Sequence, residues 1–269
     1  MTLDDADIAR YREDGVLFPL PALDHNEVDA ALGVLARLEA LPKGVRRSAL
    51  TTKSHLLSRT LWDIVHHSAI VEAASAVIGP DLLVWGAGFF KKVAGSPDFV
   101  SWHQDATYWG LEPPDIVTAW VALSRSTIES GCLRVVPGSH RWPILPHRET
   151  YADHNLLSRG QEIAVDVRDQ PMTEVVLAPG QMSLHHVLLA HNSEPNRAHH
   201  DRIGFAIRYI GGHVRQTKAT RDTATLVRGR NALNSFDLER NPLGEFAPDD
   251  LAYHAEIVAG VPHLPRTTG

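Results

Sequence analysis

The chain is poor in cysteine. Cys132 is the only one in 269 residues, so no intrachain disulfide is available and the fold must be held by its core. A chain of this length buries enough apolar surface to manage without covalent staples. Long apolar runs are also missing: none approaches the roughly 18 residues needed to cross a bilayer. The first residues, Met1-Thr2-Leu3-Asp4-Asp5, are acidic and lack the apolar stretch of a secretory leader. With the cysteine count, this gives the expectation of a soluble cytoplasmic protein with no membrane partner. Positive charge is in deficit. The 26 Lys and Arg against 32 Asp and Glu leave a formal charge of -6, with no general basic footprint for nucleic acid. Repeats and low-complexity linkers are absent too, which predicts one domain over residues 1–269. Nothing in the composition sets the oligomeric state.

What is present divides into three stretches. Residues 1–80 read as mainly helical. Ile8 and Tyr11 share a face over 4–14, before the stop signal Gly15. Asp24 is placed to cap a helix over 24–40 whose stripe is Val28, Leu32, Val34, Leu35 and Leu38. Residues 60–78 suggest a helical pair, and Val16-Leu17-Phe18 a short strand limited by Pro19 and Pro21. From about 82 to 212 the texture is β. Leu82-Leu83-Val84-Trp85, the run from Ile116 to Leu123, Leu133–Val136, Met182–His185 and the run from Ile203 to Ile210 are strand-like and separated by Gly/Pro turns. Such spacing indicates a sandwich or barrel, and helices covering one face of it make an α+β fold that is mainly β. Residues 213–269 read as irregular.

The stretch that carries chemistry is Trp102-His103-Gln104-Asp105. On a strand, His103 and Asp105 at i, i+2 share one face. Two imidazoles and one carboxylate on one face, with other positions open, form the triad that holds non-haem Fe(II) for oxygen chemistry. A second histidine must come from another strand. His191, at the end of the apolar run Val187-Leu188-Leu189-Ala190, is the best placed, but His185, His186, His199 and His200 compete and spacing alone does not decide.

Three segments in order, Trp102-His103-Gln104-Asp105-Ala106-Thr107-Tyr108-Trp109, then 130–140 (Ser-Gly-Cys-Leu-Arg-Val-Val-Pro-Gly-Ser-His), then His191-Asn192-Ser193-Glu194-Pro195-Asn196, resemble motifs of the phytanoyl-CoA dioxygenase family. The resemblance runs from about Tyr11 to Tyr209 and implies a double-stranded β-helix (jelly-roll, cupin-like) core with the N-terminal helices on one face. It also implies an Fe(II)- and 2-oxoglutarate-dependent dioxygenase that uses O2, hydroxylates a C–H bond of a small metabolite and releases succinate and CO2. By resemblance the metal ligands are His103, Asp105 and His191. Arg202, eleven residues after the distal histidine, would bind the cosubstrate. Its planar guanidinium matches a carboxylate. Ser193 resembles a hydroxyl contact to the same carboxylate, Trp120 an aromatic wall, and Lys92 a further group of that pocket. Halogenases of related type carry a small residue where this chain has Asp105, so a carboxylate argues for oxidation without halogenation.

Gln104, Tyr108 and Trp109, just beyond the ligand pair, are expected to line the substrate mouth, with Gln161 in the polar stretch 155–162 as a lid residue. Arg208 has the strand parity of Arg202 and could meet an acidic substrate group. Two alternatives stand beside this reading: a metal-dependent jelly-roll enzyme that does not use 2-oxoglutarate, and a non-catalytic ligand-binding relative.

Overall fold

The computed structural model describes residues 2–157 and 159–260. Its first 80 or so residues are mainly helical, with helices where the apolar stripes over 4–14, 24–40 and 60–78 predict them. Helix α1 (Asp5–Asp14) starts on the Asp4 side chain, which accepts from the Asp7 N–H at 2.8 Å, and ends at Gly15, whose φ of 74° suits a residue without Cβ. Helix α2 (His25–Glu39) carries a reciprocal capping box in which Asp24 and Glu27 each accept the other's backbone N–H. Helices α3 (Lys43–Thr51), α4 (Arg59–Val65) and α5 (Ser68–Ile78) follow.

The strands form a larger sheet of β1 (Val16–Pro21), β10 (Gln181–His186), β5 (Ile116–Ala122), β12 (Arg202–Gly211), β2 (Leu82–Lys92), β14 (Thr223–Arg228) and β15 (Asp237–Leu238), in that order. A smaller sheet holds β3 (Val100–His103), β11 (His191–Ser193), β6 (Leu133–Val135) and β9 (Thr173–Val175). Two short pairs complete the set: β4 (Leu111–Glu112) with β13 (Arg215–Gln216), and β7 (His147–Glu149) with β8 (Gln161–Ile163). This is a mixed α/β fold with several sheets.

The side-chain period of two sorts the larger sheet cleanly. Val117, Ala119, Val121, Met182, Leu184, Phe205, Ile207 and Tyr209 point to one side, where they form a core with Val28, Leu35, Leu38, Leu61 and Ile70 of the helices. Each such aliphatic or aromatic side chain contributes about 1.5–3 kcal/mol on burial. The alternate residues point the other way: Trp120, Ala122 and Ala206 pack with Leu133, Val135, Val175 and Leu189 of the smaller sheet and its flank. The functional residues lie on this second side.

The region expected to be irregular is only partly so. It supplies β14, which pairs with β2, and helix α7 (Pro248–Ala259), which starts at a proline with Asp249 and Asp250 in its first turn. Asp250 binds the side chain of Arg240 at 2.7 Å and the backbone N–H of Leu243 at 2.8 Å, so α7 is fixed by ionic contacts that no apolar stripe announces. Residues 261–269 of that expectation lie outside the described residues.

Gly204 on β12 lets the Trp120 indole cross it; a Cβ there would overlap the ring. Gly204→Ala is expected to lower the free energy of unfolding by about 1–3 kcal/mol through overpacking. Gly33→Ala, in helix α2 with open space around it, should raise it by about 0.5–1 kcal/mol. Urea denaturation of the two variants checks both signs.

Candidate metal centre

Strand β11 lies between β3 and β6, and its register sets His191 directly opposite His103. The two imidazoles are 4.0 Å apart between ring centres. Asp105 joins them, and one ligand atom from each of His103, Asp105 and His191 lies within 4.8 Å of the others. Strand periodicity is not what brings Asp105 in. β3 stops at His103, and Asp105, with φ -58° and ψ -39°, starts the single helical turn α6 (Ala106–Trp109). Nor does His191 end a strand: the chain leaves β10 at His186, turns through Val187–Ala190 and begins β11 at His191.

The hydrogen bonds around the rings show what the cluster suits. His103 Nδ1 lies 2.9 Å from the Ser101 carbonyl and His191 Nδ1 2.9 Å from the Leu189 carbonyl. A carbonyl only accepts, so each Nδ1 carries a proton and each ring, in its neutral form, keeps its lone pair on Nε2. His103 Nε2 stands 3.3 Å from Asp105 Oδ1. A lone pair facing a carboxylate oxygen is an arrangement a cation between them satisfies, and carbonyl-anchored imidazoles are how metal-binding histidines are oriented. Burial pushes His191 down to about 3, with His103 adding to it, so its ring is neutral. Burial works against the Asp105 carboxylate. The adjacent His103 and His191 rings and the Arg208 guanidinium outweigh it and hold its pKa below the usual carboxylate range. The donor set fits a divalent transition metal: two neutral nitrogens and one anionic oxygen, leaving other positions open.

Two residues along β11, Ser193 shares the face of His191. Its hydroxyl accepts from Lys92 Nζ at 2.6 Å, and Lys92 also donates to the Glu194 carbonyl. Arg202 is the register partner of Lys92 across β12 and β2. Its guanidinium lies 4.3 Å from the Trp120 ring centre and donates to Ser126 Oγ at 3.3 Å. Lys92, Ser193, Trp120 and Arg202, which the resemblance assigns to one pocket, lie in one buried cluster. It holds two cations and no acidic side chain. Burial first, and then Arg202, bring Lys92 down to about 7; burial brings Arg202 down to about 10.

The expected mouth residues divide. Gln104 is wholly buried. Its amide donates to the Leu188 and Pro143 carbonyls and accepts from the Leu145 N–H, so it fixes the 143–145 loop and spends both of its donors there. Tyr108 meets the edge of His147 at 6.0 Å. Gln161 accepts from the Arg159 N–H within its own hairpin, and Ser158 of that stretch lies outside the described residues. Trp109 lies against Trp85 and Arg208, with ring centres 5.1 Å apart in the first pair and the guanidinium 5.5 Å from the indole in the second. Of the competing histidines, His185 stands 5.2 Å from His191 with Nδ1 buried and unpartnered. Neither that residue nor Thr118, also unpartnered, carries a motif that would single it out. An open groove of about 790 Å³ beside α6 is lined by Ala106, Trp142, Pro143, Leu188 and Lys218 rather than by the triad.

Among the described residues no helix is long and apolar enough to cross a membrane. Comparison with known proteins places the chain. Residues 11–204 match the model of the phytanoyl-CoA dioxygenase family. A solved structure of a non-haem monooxygenase, ThoJ in its apo form, is 38% identical with a TM-score of 0.84, covering 94% of this chain and 95% of that one. A Stutzerimonas stutzeri protein described as "Probable alpha-ketoglutarate-dependent hypophosphite dioxygenase" is 25% identical over 54% of this chain and 50% of its own length. The rat peroxisomal phytanoyl-CoA dioxygenase is 28% identical over 52% of this chain and 43% of its own length. The match thus spans about half the length of these curated relatives. Its rat, cattle and human members are peroxisomal by name, which corrects the cytoplasmic expectation: a low cysteine count carries no address within the cell. By the extent of the family match and the order of its motifs, this chain belongs to the phytanoyl-CoA dioxygenase family.

Proposed function

We propose that the protein is an Fe(II)- and 2-oxoglutarate-dependent dioxygenase, one domain across its length, that hydroxylates a C–H bond of a small metabolite with release of succinate and CO2. The observation that carries this is the adjacency of two unlike sites: an anion-poor pair of cations and, two strand residues or roughly 7 Å away, a histidine–carboxylate triad. A five-carbon dicarboxylate reaches between them. In this reading the larger and smaller sheets are the two halves of a double-stranded β-helix, with the triad at one end of the space between them.

Iron, when bound, supplies activation of O2 coupled to oxidative decarboxylation of the keto acid. The chain supplies the rest. His103 and His191 present fixed lone pairs, and Asp105 contributes the negative charge that makes the site selective for a cation. Arg202 and Lys92 hold the far carboxylate of 2-oxoglutarate, Ser193 adds its hydroxyl, and the Trp120 ring closes one wall over Arg202. Both cations are buried, so the carboxylate they receive is shielded from water and each hydrogen bond to it is strong.

Succinate formation with Fe(II), 2-oxoglutarate and O2 tests the assignment. Asp105→Ala should abolish it. Arg202→Ala should raise KM for 2-oxoglutarate by about 10- to 100-fold, from the roughly 1.5–3 kcal/mol carried by a hydrogen bond to a charged group. An unchanged KM would remove Arg202 from the cosubstrate site.

Lys92 gives a second readout. With its pKa brought down to about 7 it is partly neutral in the free protein above that pH, and a bound carboxylate returns it to the charged form. Binding of 2-oxoglutarate should therefore take up protons, increasingly so from pH 7 to pH 9. Calorimetric binding heats in buffers of different ionisation enthalpy measure that uptake, and Lys92→Met should eliminate it.

A further inference from the structure

A buried cation in this protein normally has its partners. Lys53 donates to the Trp85 and Thr223 carbonyls at 2.6 and 2.9 Å and pairs with Glu239 at 2.7 Å. Arg208 differs. It lies on the inner face of β12, six residues from Arg202, with its guanidinium 5.7 Å from the Phe90 ring centre and 5.5 Å from that of Trp109. Among the described residues its side chain makes no hydrogen bond and no ion pair. Asp105 acts on it only through space, and burial lowers its pKa. The two rings hold the guanidinium by cation–π contact and leave its donors free.

The neighbours across the sheet share that condition. The registers His185↔Thr118 and Thr118↔Arg208 put the three residues in one row across β10, β5 and β12, on one face. Thr118 Oγ1 and His185 Nδ1 are both buried without a hydrogen-bond partner, and His185 stands beside His191. The buried Thr118 hydroxyl and His185 Nδ1, each costing about 1–3 kcal/mol if left unpaired, stand beside a half-buried guanidinium with free donors and next to the triad, a set of groups suited to one oxyanion.

We infer that Arg208, with Thr118 and His185 beside it, docks an oxyanion of the primary substrate, so that the substrate is a small metabolite bearing a carboxylate. A single planar guanidinium with a neutral hydroxyl and imidazole balances one negative charge and matches a carboxylate's two oxygens. The far carboxylate of 2-oxoglutarate already has Arg202, Lys92 and Ser193 to receive it, and Arg208 stands apart from that cluster, six residues along β12 and against Phe90 and Trp109. The inference rests on the proposed iron and 2-oxoglutarate site and adds the class of molecule oxidised there.

The test is calorimetric binding to the Ni(II)-loaded protein with 2-oxoglutarate present, which turns nothing over. The probes are phenylacetate, phenylmethanesulfonate and benzyl phosphate, with phenylacetamide as the neutral control. Phenylacetate should bind at least about tenfold more tightly than phenylacetamide. Arg208→Gln should remove that preference while leaving the affinity for 2-oxoglutarate unchanged, Arg208→Lys should keep part of it, and Thr118→Val should weaken the acid alone. Equal binding of acid and amide, no binding of any acid, or a preference surviving Arg208→Gln overturns the proposal. Loss of 2-oxoglutarate affinity in Arg208→Gln also overturns it, by moving the residue to the cosubstrate site. Tighter binding of the sulfonate or phosphate keeps the oxyanion dock and overturns the carboxylate assignment. A parent protein that takes up neither Ni(II) nor 2-oxoglutarate overturns the function proposed above, a result visible before any oxyanion is added.

Discussion

The pairing of β11 with β3 is the contact on which the site depends. It is only a few residues long, and it sets His191 against His103 with both rings turned inward. From that register the rest follows by strand geometry. Ser193 falls on the same face two residues on and meets Lys92 of β2, which is itself in register with Arg202. A slip of one residue would turn His191 and Ser193 outward together and part both clusters at once. The backbone holds the rings as firmly as it places them, since the carbonyls of Ser101 and Leu189 each take one imidazole proton and so aim the other nitrogen.

Charge is distributed along the inner face with a consistent logic. One carboxylate, Asp105, sits with two imidazoles; two cations, Lys92 and Arg202, sit beyond it with no acid; a third, Arg208, stands on the same strand as Arg202. Buried cations without acids are costly in an isolated protein. Lys53, paired with Glu239 and two carbonyls, shows that this fold neutralises a buried charge when the role is structural. The unneutralised ones face the space where anionic small molecules are proposed to bind. The helices take no part in this. They bury the opposite face of the larger sheet and give the strands a rigid backing through residues such as Leu35, Leu61, Phe205 and Tyr209.

Much of this was legible in the sequence, for identifiable reasons. Helices α1 and α2 carry both an apolar stripe and a capping residue, so pattern and punctuation agree. Short motifs pointed to His103, Asp105, His191 and Arg202, which the structure brings to the inner face. The i, i+2 argument named a pair that the structure does bring together, but through other geometry, because the strand ends at His103 and a helical turn delivers Asp105. Gln104 looked like a mouth residue by adjacency alone, yet its amide is consumed by the 143–145 loop, a contact some 40 positions away in sequence that no local pattern records. Helix α7 was missed because its anchors are Asp250 and His254, polar residues buried against Arg240 and the Thr52 carbonyl in place of an apolar stripe. Thr118 gave no signal and His185 stood only among the competing histidines, because their place in one row lies in cross-strand register, which exists only once the sheet is formed.

The central claim is that two histidines and one carboxylate from β3, α6 and β11 hold a single iron. X-ray absorption of the anaerobic Fe(II)-loaded protein measures it most directly. The account predicts a six-coordinate shell of nitrogen and oxygen with outer-shell scattering from two imidazoles, falling to one imidazole in His191→Ala. A spectrum without imidazole scattering, or one unchanged by that substitution, would contradict it.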